Sequence, residues 1–486
     1  MVTAMGRGMI FQLYDIKKFF DKENVRDVMD CLHQIGIEEK LYRSWFTLNR
    51  NTSIKVNTPV GMSESAMVGE VIGQGSAGGA LASQANIDHG LNSYFLGSDC
   101  ELSYGGIRLQ PLSFQDDIAR MVEDIGSAQA GNVKISYMMK EKQLEVHPDK
   151  TGFIVMGGKE YKKQVFEELQ EAPIMFGNIH TKSKDVDKYL GDMIHTDGLA
   201  ASVAATVKDR TGKVKAAMYE AAAIIEDYRM QAVGGLMGAW DLWNMAIIPS
   251  LLNNSGVWTE IDEKTVLVLE ELQNTYARRV LHVPLSTPKV SLRSETGLLS
   301  MKHRIWEEKV RMVMAIKEMG PEFLARRVFE EQLRQGFPGL SQEVATICEE
   351  IGVEDVNVNP LGKGHLSKAI REHHKGEMVN EMGKKMADLV AEETGYVKGY
   401  MKQNNIEDSR TMFRYRTKML ELKENMKGRY GRDNLGCEAC STGDVESQSH
   451  VLQCSAYEDL REGLDLEKDQ HMITYFREVL KRRLKK

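Results

Sequence analysis

Between Leu109 and Ile118 the chain reads Leu-Gln-Pro-Leu-Ser-Phe-Gln-Asp-Asp-Ile, an apolar, strand-like run ending in two adjacent carboxylates. Neighbouring carboxylates repel, so holding Asp116 and Asp117 together makes most sense beside a divalent cation with hard oxygen ligands. A solvated turn whose Asp caps a helix is the plainer use of the same pair. The spacing of Ile118, Met121, Val122 and Ile125 predicts a helix directly after it. The rest of the chain decides between the two.

Met9 to Ile16 is apolar and rich in β-formers, and reads as a buried strand ending at Asp15, 101 residues ahead of Asp116. A sheet could bring these carboxylates together. A helix follows with Val25, Val28, Met29, Leu32 and Ile35 on one face, then a second with Leu41 and Trp45. Thr52 to Thr58 alternates like a strand. Gly73-x-Gly75-x-x-Gly78, ahead of a helix from Ala80 to Leu91, literally satisfies the dinucleotide fingerprint. No first βαβ unit surrounds it and no Lys-Ser/Thr completes a phosphate loop, so an NAD-binding reading is rejected. What remains is a flexible loop, or a backbone passing close to a nucleotide to which Gln74 offers its amide. Beyond the Asp-Asp turn the pattern predicts a helix over Gly131–Leu144, a strand over Phe153–Met156 and a short strand over Lys188–Ile194. This order gives an α+β fold with helices on one face of an antiparallel sheet.

From about residue 199 the pattern turns helical, with periodic segments at Thr265–Leu281, Leu299–Met319 and Ser341–Ile351. Between Arg278 and Lys317 basic residues outnumber acidic ones nine to three, which suits either a solvated face or contact with a phosphate backbone. Val353 to Gly364, with Pro360, Gly362 and Gly364, is the best candidate linker. Arg410 to Arg432 carries eight basic and two acidic residues among Phe413, Tyr415 and Tyr430, a composition that single-stranded nucleic acid favours and that surface helices share. Directly after it comes Cys437-x2-Cys440-x9-His450-x3-Cys454. Three thiolates and an imidazole fill a tetrahedral zinc shell, and a closed shell of four implies a structural ion. Zinc would then stabilise a segment too small to bury a core of its own.

At 486 residues the chain can hold two to four domains. Its 42 % apolar and 27 % charged residues are those of a soluble globular protein, and the net charge of −7 argues mildly against a nucleic-acid binder. Six cysteines, three of them in metal-like spacing, are too few for a disulfide framework and suit a reducing compartment. The apolar start stops at Asp15, unlike a secretory signal. Gln231 to Leu252 is interrupted by Asp241, Asn244 and Pro249, and predicts a buried helix rather than a membrane span.

These residues resemble the reverse transcriptases of non-LTR (LINE-type) retrotransposons, in the family's own order. Tyr14-Asp15-Ile16-Lys17-Lys18-Phe19-Phe20-Asp21 is similar to the first palm motif, Gln74-Gly75-Ser76 to the Gln-Gly motif, and Phe114-Gln115-Asp116-Asp117 to the aromatic-x-Asp-Asp motif. Pro148-Asp149-Lys150-Thr151 resembles the fourth palm motif, Tyr189-Leu190-Gly191 the primer grip, Glu295-Thr296-Gly297-Leu298 the thumb, and the Cys-Cys-His-Cys cluster the terminal knuckle. Gln115 stands where alanine is usual, and Ala77-Gly78-Gly79 replaces a Pro-containing continuation.

The resemblance implies an RNA-directed DNA polymerase working on an RNA template, a DNA primer and dNTPs, with two Mg²⁺ ions held by Asp15 and Asp116 and assisted by Asp117. It implies that the Ile16 carbonyl completes a coordination shell, that Phe20 excludes a ribonucleotide 2′-hydroxyl, that Gln74 and Gly75 frame the incoming dNTP, and that Lys150 gives a proton to pyrophosphate. Cys437, Cys440, His450 and Cys454 would hold one structural Zn²⁺. The implied domains are a palm at 1–198, a helical thumb at 199–335, a helical region at 336–432 and the knuckle with a basic tail at 433–486. Fingers and endonuclease are expected upstream of Asp15, so the chain reads as a truncated element. The alternative is an inactive nucleic-acid-binding remnant. Either would be intracellular, without a membrane, and nuclear or cytoplasmic as a ribonucleoprotein.

Overall fold

Strand β1 (Met9–Asp15) is buried along its middle five residues, as its almost unbroken apolar run requires of a central strand. It is joined in one sheet by β2 (Leu112–Phe114), β3 (Asp117–Val122), β4 (Gly152–Met156) and β5 (Lys182–Ser183), in the order β5-β4-β1-β3-β2. All neighbours are antiparallel except β4 and β5. The structure is a computed structural model. It describes residues 7–50, 52–69, 72, 77–98, 101–225, 235–359, 361–382, 397–402, 405–426, 435–440 and 442–484.

Side chains alternate across a strand. On β1, Ile10 and Tyr14 join apolar clusters with helix α3 (Ile125–Glu141), while Phe11 and Leu13 pack on the other face with Ala119, Ile154 and Tyr189. Helices α1 (Val25–Gln34), α2 (Ala77–Phe95) and α4 (Lys159–Glu171) complete the helical side through Val28, Ile87 and Val165. Beneath α3 runs a polar seam. The Arg120 guanidinium donates to Glu101 at 2.7 Å and to Gln12 at 2.8 Å, and Asn132 accepts from Gln12 at 3.0 Å and from Tyr14 at 2.5 Å. Position 131 is glycine because a Cβ there would collide with the Arg120 guanidinium.

Several expectations are corrected. Ile118, Met121 and Val122 lie on a strand, because pairing with both β1 and β2 overrides their helical spacing; the helix begins only at Ile125. Lys188–Ile194 is not one strand but the centre of a hairpin, β6 (Val186–Tyr189) and β7 (Asp192–His195), turning at Leu190 and Gly191 with φ of 47° and 89°. Thr52–Thr58 splits into Thr52–Ile54 and Asn57–Thr58. Helix α4 was not anticipated, although Tyr161, Val165 and Leu169 carry its apolar stripe.

The chain forms two compact units, Met1–Thr206 with Met319–Gly339, and Val207–Glu318 with Leu340–Lys486. The first holds the sheet, and helix Leu324–Gln335 caps Leu102, Ile107 and Leu109 there through Leu324 and Val328. The fold is α+β, as expected. The described strands all lie in this first unit.

The second unit is helical, and its helices include α5 (Glu263–Leu281), α6 (Lys289–Thr296), α7 (Met301–Glu318), α8 (Lys363–Met382), α9 (Ile406–Arg416), α10 (Gln448–Gln453) and α11 (Asp469–Leu484). Trp240 and Trp243 are buried on the predicted apolar helical stretch, Trp243 stacking on Tyr276 with centroids 4.7 Å apart. No described helix is long and apolar enough to cross a membrane.

Candidate active site and metal centre

Asp15 ends β1 and stands in register opposite Asp117, the first residue of β3. Asp116 sits between them in the two-residue turn joining Phe114 to Asp117. Its carbonyl accepts from the Ile16 amide at 2.9 Å, and the Asp15 carbonyl accepts from the His147 amide at 2.7 Å. Backbone pairing therefore fixes all three aspartates relative to one another. Lys150, carried on the turn before β4, donates to both Asp15 oxygens, 2.9 Å from Oδ2 and 3.2 Å from Oδ1.

The turn is clamped from α2. Gln115 has a φ of 56°, the left-handed region disfavoured for a side chain with a Cβ. Its amide donates to Gln84 Oε1 at 2.6 Å, and Gln84 Nε2 donates to Ser113 Oγ at 2.8 Å. Ser113 in turn is hydrogen-bonded to Asp88.

Two clefts, each of about 450 Å³, meet at Asp15 and Lys150. One is lined by Ile16, Lys17, Phe20, Gln115 and Asp116. The other is lined by Asp117, Lys184, Asp187, Tyr189 and Gly191. Burial first, and then the charges of Asp116 and Asp15, push the Asp117 carboxyl up to about 6, against the opposing pull of Lys150. Asp15 correspondingly holds the Lys150 ammonium above its ordinary range. Burial and Asp117 push the Tyr189 phenol up to about 12.

The structure thus brings Asp15, Ile16, Phe20, Asp116, Asp117 and Lys150 to one place, while Gln74 and Gly75 lie outside the described residues. The three aspartates do not offer oxygens all within 4.8 Å of one another, as the metal-like groups elsewhere among the described residues do. Their donor set is nonetheless one that magnesium accepts: hard oxygens, with the Asp117 carboxyl raised by burial first and then by like charge that a cation would offset. Sequence reasoning missed Asp187 and Lys184. Lys184 Nζ bridges Asp187, at 2.7 Å, and the Lys150 carbonyl, at 3.0 Å. Strand alternation from Tyr189 back to Asp187 was the signal that places Asp187 on the same face.

The second predicted site also assembles. Cys437, Cys440, His450 and Cys454 offer ligand atoms all within 4.8 Å of one another. Cys437 and Cys454 sulfurs are 4.0 Å apart, and Cys440 Sγ is 3.4 Å from His450 Nε2. Tetrahedral zinc with bonds of about 2.0–2.3 Å needs separations of about 3.5–3.8 Å, so the set fits that ion. Gly436 and Val445 bridge beneath the first cysteine, and Ser447 caps α10, which carries His450. Asp444 Oδ2 lies 3.7 Å from His450 Nδ1, the nitrogen turned away from the sulfurs. The expectation of a coreless knuckle is corrected. Leu420, Leu422, Tyr457, Tyr475, Phe476 and Val479 form an apolar cluster around Cys437 and Cys454.

The basic helices behave differently from expectation. All nine cations from Arg278 to Lys317 have partners within their own unit, among them Arg278 and Lys289 on Glu271, Lys309 on Glu343 and Arg279 over the Tyr219 ring. On α9, Arg410 is buried and donates to the Val280 carbonyl, Arg414 donates to that of His282, and Arg416 to Glu295. Phe413 is buried and Tyr415 packs on Phe476. Positive charge here ties helices together; residues 427–432 of the stretch lie outside the described ones.

Neither a family model nor a curated protein matches the chain. Among solved structures it is similar to telomerase from Candida albicans in complex with a TWJ fragment of telomeric RNA, with a TM-score of 0.33 and 10% identity over 80% of this chain and 51% of that one. The chain thus spans about half the length of that protein.

Proposed function

We propose that the chain is an RNA-directed DNA polymerase of the reverse transcriptase type, of non-LTR (LINE-type) retrotransposon ancestry, adding dNTPs to a primer 3′-hydroxyl on an RNA template. The observation carrying this reading is the pairing of Asp15 with Asp117 across two central strands, with Asp116 in the turn between and a cleft on either side. Two Mg²⁺ ions bound there would supply activation of the 3′-hydroxyl and stabilisation of the departing pyrophosphate.

The chain's own residues then divide the work. Asp15 and Asp116 would hold the ions, Asp117 would assist, and the Ile16 carbonyl would add an oxygen. Phe20 stands in the cleft with Asp116, where its ring can exclude a 2′-hydroxyl; Gln74 and Gly75 frame the nucleotide. In the opposite cleft, Tyr189, Leu190 and Gly191 at the β6–β7 turn hold the primer end. The primer 3′-hydroxyl loses its proton to solvent as its oxygen attacks the α-phosphorus, the bond to the bridging oxygen breaks, and the leaving pyrophosphate takes a proton from Lys150. The work is intracellular, as a ribonucleoprotein in the nucleus or cytoplasm.

Primer extension tests this, with RNA template, DNA primer, dNTPs and Mg²⁺, beside Asp15→Asn and Asp116→Asn. Extension by the unaltered chain alone is expected. No extension by any of them, with folding and RNA binding intact, would leave an inactive nucleic-acid-binding remnant. The pairing of the described thumb cations already limits what unpaired positive charge could contribute to such binding.

A further inference from the structure

A third cluster of ligating side chains lies in the helical unit, unconnected with either predicted site. His303 on α7 faces His373 on α8, His303 Nε2 standing 2.9 Å from His373 Nδ1. One helical turn beyond His373, Glu377 brings Oε2 to 3.8 Å from the same His303 nitrogen. The three ligand atoms lie within 4.8 Å of one another. We propose that His303, His373 and Glu377 form a second metal centre of this chain, taking a first-row divalent cation of the zinc class.

Residue type and spacing both support it. Two imidazoles and one carboxylate are borderline donors suited to zinc or its neighbours, and the i, i+4 spacing sets His373 and Glu377 on one helix face. Metal bonds of about 2.0–2.2 Å in tetrahedral array place ligand atoms about 3.3–3.5 Å apart, between the two separations observed. The outer nitrogen of His303 is already oriented, Nδ1 lying 2.7 Å from Ser300 Oγ. Glu377 is likewise oriented: Oε1 accepts from Lys302 at 2.9 Å, leaving Oε2 toward His303. His303 is buried, His373 half-buried and Glu377 exposed, so an ion could enter from solvent at the outer end.

A separate observation points the same way. His374, the next residue on α8, is buried with its ring centroid 4.9 Å from that of His303, yet neither ring nitrogen has a hydrogen-bond partner among the described residues. Buried polar atoms are normally satisfied, and orphans beside a ligand cluster mark a place where a polar species belongs. Three protein ligands, unlike the closed four of the cysteine site, would leave one position for water or a further group.

The test is cobalt titration of the full chain after chelation, read by bound-metal stoichiometry and visible spectrum. Two equivalents are expected in an Asp15→Asn, Asp116→Asn background, which removes the aspartate site as a competitor for the ion. One shows thiolate charge transfer and disappears in Cys440→Ser; the other lacks it and weakens at least tenfold in Glu377→Gln and in the Glu377→Gln, His373→Gln pair. Glu377 is exposed, so its single variant retains the fold, which circular dichroism verifies. Binding of one equivalent only, or a second equivalent unaffected by both variants, would overturn the proposal. The outcome is independent of whether the chain polymerises.

Discussion

Lys150 spans both oxygens of Asp15, at 2.9 and 3.2 Å, from the turn that precedes the neighbouring strand. The ammonium also lowers the Asp117 carboxyl, so Lys150→Met is expected to move that carboxyl above about 6. Carboxyl carbon NMR titration would read the shift; an unchanged or lower midpoint would mean that Lys150 does not reach Asp117.

Asp117 itself makes stability depend on pH. Its folded value of about 6 exceeds the ordinary 3.8, so the folded chain keeps a proton that the unfolded chain has lost. The associated stability is full below about pH 4 and is lost as pH rises through 6. Asp117→Asn should therefore be more stable than the unaltered chain at pH 7.5, by on the order of 1 kcal/mol, and no more stable at pH 3.5. Thermal unfolding across that range checks it.

The clamp on the Asp-Asp turn is separable from the aspartates. Gln84→Ala removes the acceptor of the Gln115 amide and the donor to Ser113, and should cost about 1–3 kcal/mol. Gln115→Gly, which relieves the positive φ but keeps the amide, should change stability by less than about 1 kcal/mol. Denaturant unfolding of both variants would distinguish a clamp from a bystander. Equal losses would mean that the Gln115 side chain, not its backbone, holds the turn.

Glu295 is buried and accepts from Arg416 Nε at 2.8 Å and Tyr400 OH at 2.7 Å. Removing it strands the guanidinium, so Glu295→Ala should cost about 3–5 kcal/mol. Glu295→Gln, whose one amide oxygen can accept from both Arg416 and Tyr400 as Oε2 does, should cost less. A surface role for this residue would show as a change under about 0.5 kcal/mol in both.

Because the cysteine site rests on an apolar cluster, chelation should expose Tyr457 and Tyr475 without unfolding the sheet unit. Hydrogen exchange would show protection lost over the segment from Leu420 to Val479 alone. Cys437→Ser, at a buried ligand, should reproduce this, while loss of protection in β1 would contradict it.

Much of the candidate active site was legible because strands write their faces in alternate residues. The run from Met9 to Asp15, rich in β-formers and closed by a carboxylate, reads as a buried strand, which puts its last residue at a sheet end. Ile118 to Val122 misled because short apolar runs fit both periods, and only pairing with β1 decides between them. Asp187 was hidden for another reason: its link to Asp117 is set by a hairpin whose turn, Leu190-Gly191, looks from sequence like the middle of one strand. The cations of α7 and α9 were legible as charge but not as direction. Which way a cation points depends on partners such as Glu343 for Lys309 or the Val280 carbonyl for Arg410, far away in sequence. The Cys-Cys-His-Cys group needed no such information, since its spacing alone brings the four side chains together.

The alternation along β1 has a consequence for how this gene can change. Phe11, Leu13 and Asp15 share one face, and Ile10, Gln12 and Tyr14 the other. A codon deleted within the strand would turn every later side chain over, sending the carboxylate toward the helices and Tyr14 toward the clefts. Removing two codons would restore the order of faces and only shorten the strand. Inheritance should therefore tolerate length changes here in even steps and reject odd ones, a parity rule imposed by the pleat.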